Sequence, residues 1–246
     1  MARPVQCDRW RGRICGTLLA WAPAVFPIVP ASAYAAGNAV SIPAPLLDDA
    51  RLAGKPQTAV LAGGCFWGMQ GVFEHLKGVR RVLAGYSGGS AATAHYALVG
   101  GGTTGHAESV QISFDPGELS YGDILRVYFS VAHDPTELNR QGPDQGVRYR
   151  SEIFYADARQ QAIAQAYIAQ LQQARIFPQP IVTRLDPLTG FYAAEDYHQD
   201  FLIRNTDYGY IVQNDLPKIA NLKRLYPRMY RDQPVLVGPG LGNRLN

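Results

Sequence analysis

Ser109-Val110-Gln111-Ile112-Ser113-Phe114 sets Val110, Ile112 and Phe114 alternately with Ser109, Gln111 and Ser113. That two-residue period is the mark of a β-strand with one buried face, so the sheet it joins should carry a polar or only partly covered second face. Upstream, Thr58 to Ala62 is a short β-favouring run stopped by Gly63-Gly64, Cys65 to Lys77 reads as a helix, and Val79 to Tyr86 reads as a strand ended by Ser87-Gly88-Gly89. Downstream, Ser120 and Asp123 form a capping-box-like start for a helix with Ile124, Val127, Tyr128 and Val131 on one face. Ile153 to Tyr155 reads as a strand, and Asp157 caps a long helix to about Ala174 with Ile163, Tyr167, Ile168 and Leu171 as its buried stripe. Ile181 to Leu185 reads as a further strand, while Glu195 to Ile203 and Lys218 to Leu225 look helical. Strands alternating with helices, one strand plainly amphipathic, predict an α+β two-layer sandwich with a mixed or antiparallel sheet.

The ends of the 246-residue chain read differently. Arg3, Arg9, Arg11 and Arg13 precede an apolar run from Ile14 to Val29, followed by Ala31-Ser32-Ala33-Tyr34-Ala35. Charge, apolar core and small residues in that order predict a secretory signal over residues 1–35, cleaved after Ala33 or Ala35, and hence an exported protein, periplasmic or secreted. Pro23, Pro27 and Pro30 interrupt the run, which is short for a membrane anchor. Residues 36–57, with Pro43, Pro45 and Pro56, predict an extended lead-in that adds little to a core. Residues 231–246, with Pro234, Pro239 and three glycines, predict a flexible tail, which leaves one domain over 58–230.

The leader takes four arginines and one aspartate from totals of 23 basic and 20 acidic residues, so nineteen of each remain. A balanced mature chain points to neither a nucleic-acid nor a membrane partner. Cys7 and Cys15 also leave with the leader, and Cys65 stays alone. An unpaired cysteine in an oxidising compartment is either inert and buried or retained for its reactivity.

Gly63-Gly64-Cys65-Phe66-Trp67-Gly68 favours reactivity. The glycines allow a sharp strand-to-helix turn with space beside the sulfur. A cysteine at a helix N-terminus meets unpaired N–H groups and the positive end of the dipole, which predicts a thiolate-favouring site. Two bulky aromatics after the cysteine build a poor corner and a good wall for an apolar group. His95, His106, His133 and His198 lack the paired spacing of a zinc site, so no metal is predicted. A cysteine hydrolase using His106 or His198 as base, and a peptide-binding module with Phe66 and Trp67 as anchors, are the competing readings.

Gly64-Cys65-Phe66-Trp67-Gly68 resembles the active-site motif of the A-type peptide methionine sulfoxide reductases. Gly85-Tyr86-Ser87-Gly88-Gly89, Thr104-Gly105-His106-Ala107-Glu108, His133-Asp134-Pro135-Thr136, Asn139 to Gly146 with Tyr149-Arg150-Ser151, and Glu195 to Gln199 follow in family order. The resemblance implies a ferredoxin-like fold and reduction of the S epimer of methionine sulfoxide, free or in oxidised proteins, without a bound cofactor. It further implies Cys65 as nucleophile and Glu108 as the acid on the sulfoxide oxygen. Tyr96 and Tyr149 would hold that oxygen, Asp144 would organise the site, and Phe66 and Trp67 would receive the methyl group. The cycle leaves a sulfenic acid on Cys65, and with no second cysteine in the mature chain the reductant must be an external thiol, thioredoxin-like or small. The enzyme is expected to act as a monomer. Two departures stand out: Val147-Arg148 replaces the usual Thr-Gln, adding a cation beside Tyr149, and Phe201 replaces a frequent tyrosine and its hydrogen bond.

Overall fold

The computed structural model describes Met1 and residues 39–238. The chain divides into two units, Met1–Pro30 and Ala31–Asn246. The first lies, Met1 aside, outside the described residues, and the expected signal over 1–35 lies there with it. The second unit runs in the order β1 (Gln57–Gly63), α1 (Phe66–Glu74), β2 (Val79–Ser87), α2 (Tyr96–Val99), β3 (Ala107–Phe114), α3 (Tyr121–Val127), β4 (Arg140–Gln141), β5 (Asp144–Gln145), β6 (Ser151–Tyr155), α4 (Ala158–Gln173), β7 (Arg184–Pro187), β8 (Phe191–Ala193), α5 (Phe201–Arg204) and α6 (Leu216–Leu225).

Six strands form one sheet in the order β7-β6-β1-β3-β2-β8. β1 pairs antiparallel with β3, setting Leu61 opposite Val110, and antiparallel with β6 on its other side, setting Leu61 opposite Ile153. β2 and β8 continue the antiparallel order, and only β6 with β7 is parallel. The inner order β6-β1-β3-β2, with α1 after β1 and α3 between β3 and β6, is the βαββαβ arrangement expected of the ferredoxin-like sandwich. The alternation in β3 divides the two faces. Val110, Ile112 and Phe114 join the main core with Val72 and Phe73 of α1, Ile124 of α3 and Tyr167 of α4. The opposite face holds a small cluster of Val60, Ala62, Ala107 and Phe154, and leaves Gln111 and Ser113 half-buried. The partly covered second face is therefore real.

Tertiary contacts move several boundaries. Helix α1 stops at Glu74, and the predicted α3 extends by a π-helical turn over Tyr128–Ala132. The strand expected at 181–185 forms at Arg184–Pro187, because Ile181 is buried and the Val182 N–H is taken by the Pro135 carbonyl. The helix expected over 195–203 is broken into a 3-10 turn at Asp196–His198 and α5, with Asp200 at φ 53° between them. Its side chains explain the break: Gln199 accepts from the Ala84 N–H at 3.0 Å and donates to the Ala84 and Ala194 carbonyls at 2.9 Å, tying the chain to β2.

Both terminal expectations need correction within the described residues. The lead-in has no helix or strand before β1, yet Ile42 is 2% exposed in the main core. Arg126 donates to the Ile42 carbonyl, Tyr167 to the Pro43 carbonyl and Ser120 to Asp48, so polar groups of α3, α4 and the α3 cap anchor this extended segment. At the other end, the Val235 N–H bonds the Glu74 carbonyl and the Val237 N–H bonds Asp200, which fastens residues 235–237; residues 239–246 lie outside the described residues. Proline content signalled extended chain correctly in both places and said nothing about where that chain packs.

Candidate active site

Cys65 is the N-cap of α1, directly after β1. Both glycines before it are required by close packing. A Cβ on Gly63 would stand 2.9 Å from the His133 ring, and one on Gly64, whose φ is +93°, would stand 2.5 Å from the Gln141 side chain. The turn exposes only 9% of Cys65.

That exposed edge meets a cleft of about 170 Å³. Its walls bring together every residue the sequence nominated: Cys65, Phe66, Trp67, Tyr96, Glu108, Asp144 and Tyr149, joined by Tyr208 and Tyr210. Five separate elements deliver them. Phe66 and Trp67 open α1, Tyr96 opens α2, Glu108 lies near the start of β3, Asp144 lies in β5, and Tyr149 ends a 3-10 turn at Val147–Tyr149. Arg150 joins two of these pieces. Buried against Glu152 at 2.5 Å, it donates to the Gly105, His106 and Val147 carbonyls and so ties the Tyr149 turn to the segment entering β3.

Glu108 is 2% exposed and accepts the Phe66 N–H at 3.2 Å. Burial raises its carboxyl to about 8, aided by Asp144 and opposed by the Phe66 N–H and Arg148. It is therefore a protonated acid at neutral pH, able to donate to an oxygen in the cleft. Burial pushes the Tyr96 hydroxyl up, and takes that of Tyr149 to about 12, with Glu108 adding to both, so these stay hydrogen-bond donors.

The expected thiolate at Cys65 is not what the surroundings favour. Burial pushes the thiol well above its ordinary range, and Glu108 and Asp215 push it further, against the backbone N–H of Trp67, which lowers it. The Trp67 N–H at the helix N-terminus does contribute as predicted, but desolvation, with the acidic side chains of Glu108 and Asp215 beside the sulfur, outweighs it. Cys65 therefore rests as a thiol.

Sequence reasoning missed Tyr208 and Tyr210. Tyr210 bonds Asp144 through its hydroxyl and sets its ring edge-on to Trp67 at 6.0 Å; Tyr208 meets Trp67 edge-on at 6.3 Å. The only signal was two tyrosines astride Gly209 in a stretch with no periodicity. Phe201, read as the loss of a hydrogen bond, stacks on Trp67 at 3.8 Å and 12°, while Trp67 donates to His198 at 3.2 Å. The indole is thus fixed on both sides. His106 packs beneath Gly89, and His133 is buried between Ser151 and the Tyr128 carbonyl with its ring lowered to about 3 by burial. Neither they nor His198 line the cleft, so the hydrolase reading lacks its base. Among the described residues, no group of three or more His, Cys, Asp or Glu side chains could hold a metal ion.

The cleft thus sets a thiol beside a proton donor and an apolar wall. Residues 57–228 match the family model described as peptide methionine sulfoxide reductase. The chain is 57% identical over 189 residues to peptide methionine sulfoxide reductase MsrA 2 of Mesorhizobium japonicum, covering 77% of this chain and 97% of that protein. It is 52% identical over 170 residues to the MsrA 2 protein of Synechocystis, covering 69% and 79%. Among solved structures it is similar to Mxr1 of Saccharomyces cerevisiae in reduced form, with a TM-score of 0.56 and 30% identity over 62% of this chain and 87% of that one. The chain belongs to the peptide methionine sulfoxide reductase family, as an A-type member. It is an enzyme, a peptide-methionine (S)-S-oxide reductase, and its reaction returns oxidised methionine to methionine.

Proposed function

We propose that Cys65 attacks the sulfoxide sulfur while Glu108 protonates the departing oxygen, with Tyr96 and Tyr149 holding that oxygen and Asp144 fixing the far wall through Tyr210. Phe66 and Trp67 take the methyl group. The observation that carries this reading is the meeting of one thiol with one protonated carboxyl in a cleft otherwise walled mainly by aromatic rings. A sulfoxide sulfur becomes electrophilic only when its oxygen gains a proton or strong hydrogen bonds. Attack joins the two sulfurs; the protonated oxygen then passes to the Cys65 sulfur as its bond to the methionine sulfur and the S–S bond both break, methionine leaves, and the thiol proton replaces the one Glu108 gave, so Cys65 ends as sulfenic acid and the step balances without any other reagent.

Two equivalents of an external thiol then return the sulfenic acid to thiol, releasing water and a disulfide. The support is that Cys7 and Cys15, the other cysteines in the sequence, fall in the expected leader, and that Cys65 is the free cysteine among the described residues. The reductant is a thioredoxin-like protein or a small thiol. We place the mature enzyme outside the cytoplasm, as a monomer repairing exported proteins, on the charge, apolar core and small residues of positions 1–35. Among the described residues no helix is long and apolar enough to cross a membrane.

The test is mass spectrometry of the protein from Ala36 onward, mixed with one epimer of N-acetyl-methionine sulfoxide at a time and no reductant. One oxygen on Cys65 and one equivalent of N-acetyl-methionine, from the S epimer, are expected. An unmodified Cys65 with both epimers would overturn the assignment. For export, the N-terminus of protein recovered outside the cytoplasm should be Tyr34 or Ala36.

A further inference from the structure

Arg148, which the sequence marked as a departure beside Tyr149, has a place at the cleft that the chemistry above does not use. It sits within the Val147–Tyr149 turn, half-buried, and is not part of the cleft wall itself. Its guanidinium lies 4.5 Å from the centre of the Tyr149 ring, and Nη1 donates to the Gly100 carbonyl at 2.7 Å. Gly100 is the C-cap of α2, the helix that Tyr96 opens. Arg148 therefore bridges the rim between the two tyrosines from opposite sides. Stacking on one and bonding to the backbone beyond the other fixes the direction of the planar fork, so little side-chain freedom is lost when it takes a ligand.

Besides bonding the Gly100 carbonyl, the guanidinium is hydrogen-bonded to the Tyr149 side chain. Among the described residues, Arg148 makes no ion pair; the nearby carboxylates are otherwise engaged, Asp144 by Tyr210 and Glu195 by Tyr86 and the Tyr96 N–H. A fixed, unpaired guanidinium at the mouth of a site favours planar anions, and carboxylate above all, because two N–H groups can meet its two oxygens. A substrate whose methyl sulfoxide reaches Cys65 leaves its own backbone at the rim.

We infer that Arg148 is a specificity-determining residue that binds a carboxylate carried by the substrate close to the methionine sulfoxide, whether the terminal carboxylate of that residue or an acidic side chain next to it. The inference rests on the cleft being the sulfoxide site. A partly exposed pair is worth about twofold to fivefold in kcat/KM. It acts on KM more than on kcat, because it is made equally before and during oxygen transfer.

The experiment compares carboxylate with uncharged isostere in two arms: N-acetyl-methionine-S-sulfoxide against its C-terminal amide, and a blocked peptide with Asp beside the methionine sulfoxide against the same peptide with Asn. Each is run with the wild type, Arg148→Gln and Arg148→Lys, with thiol reductant in excess. In the wild type, kcat/KM should be about two to five times higher for the carboxylate in at least one arm, and the advantage should shrink as salt is raised. The arm that shows it identifies the source of the carboxylate. Arg148→Gln should bring that ratio close to one, and Arg148→Lys should keep part of it. Because each enzyme is compared with itself, a change in the acidity of Glu108 or in the amount of folded protein cancels. A wild-type ratio of one in both arms, or an unchanged ratio in Arg148→Gln, overturns the inference while leaving the sulfoxide site standing. Failure of the wild type to reduce any of the four compounds overturns both.

Discussion

Replacing Glu108 by Gln keeps the volume of a side chain that is 2% exposed, and keeps an oxygen to accept the Phe66 N–H, while removing a carboxyl that ionises near 8. In the unfolded chain that carboxyl ionises at the ordinary 4.5. Its folded value is raised, so the stability associated with it is fully present below pH 4.5 and is lost progressively as pH rises to about 8. At about 1.4 kcal/mol per unit, folding at pH 7 costs about 3 kcal/mol in keeping Glu108 neutral, and at pH 9 about 5 kcal/mol. Gln has no such cost. Glu108→Gln should therefore match the wild type in stability near pH 4, exceed it by about 3 kcal/mol at pH 7, and exceed it most at pH 9. With about 2–4 °C per kcal/mol for a domain of this size, its Tm at pH 7 should rise by about 6–12 °C. Turnover should move the opposite way, falling about 10²–10⁴-fold with the loss of the acid. Wild-type turnover should itself decline as pH passes about 8. Calorimetry at pH 4, 7 and 9, with chromatographic measurement of methionine released, reads both. A variant no more stable than the wild type at pH 9 would refute the idea that a neutral, buried carboxyl is held at this site.

Three further substitutions test the scaffold. Ile42→Ala should cost about 2–5 kcal/mol in urea unfolding, as a core residue would and a loose lead-in would not. Arg150→Ala should cost about 2–3 kcal/mol, short of the roughly 3–5 kcal/mol of a wholly unpaired buried charge, because Glu152 would lose its buried partner and keep only the exposed Arg184 at 3.6 Å; a loss under about 1 kcal/mol, measured the same way, would show that the clasp between the Tyr149 turn and β3 is dispensable. Gly68→Ala should destabilise by about 1–3 kcal/mol in thermal melts, since the new Cβ would stand 2.0 Å from Asp215 Oδ1, and an unchanged melt would mean that Asp215 moves freely.

Much of this molecule was legible where local chemistry and tertiary demand agree. The alternation from Ser109 to Phe114 named a strand and its two faces, and Ser120 with Asp123 does form a capping box. The site residues were legible as a set only through the ordered motifs, since nothing in Tyr96 or Asp144 alone distinguishes them from any half-buried tyrosine or turn aspartate. What stayed hidden depends on long-range partners. Gln199 breaks a helix by reaching β2, over one hundred positions earlier in sequence, and no periodicity can register that. Ile42 is one apolar residue among prolines, and its burial depends on a pocket that α3 and α4 complete. Tyr208 and Tyr210 join the cleft through near-perpendicular ring contacts with Trp67, over one hundred positions earlier.

The thiol at Cys65 shows why position along a helix cannot alone decide a reactive state. The N-terminal N–H groups are there, but they act on a sulfur that has lost its water and faces the acidic side chains of two other elements, Glu108 and Asp215, whose ionised forms would oppose a thiolate. Two protons are then stored in the cleft, one on sulfur and one on Glu108. In the mechanism we propose, neither is taken from bulk water, because the sulfenic acid needs one proton on its oxygen and Glu108 would recover its own from the thiol. On that reading the cleft can exclude water while it works, and the nucleophile would form when a sulfoxide oxygen draws the proton from Glu108, which would tie activation of the sulfur to the presence of the substrate.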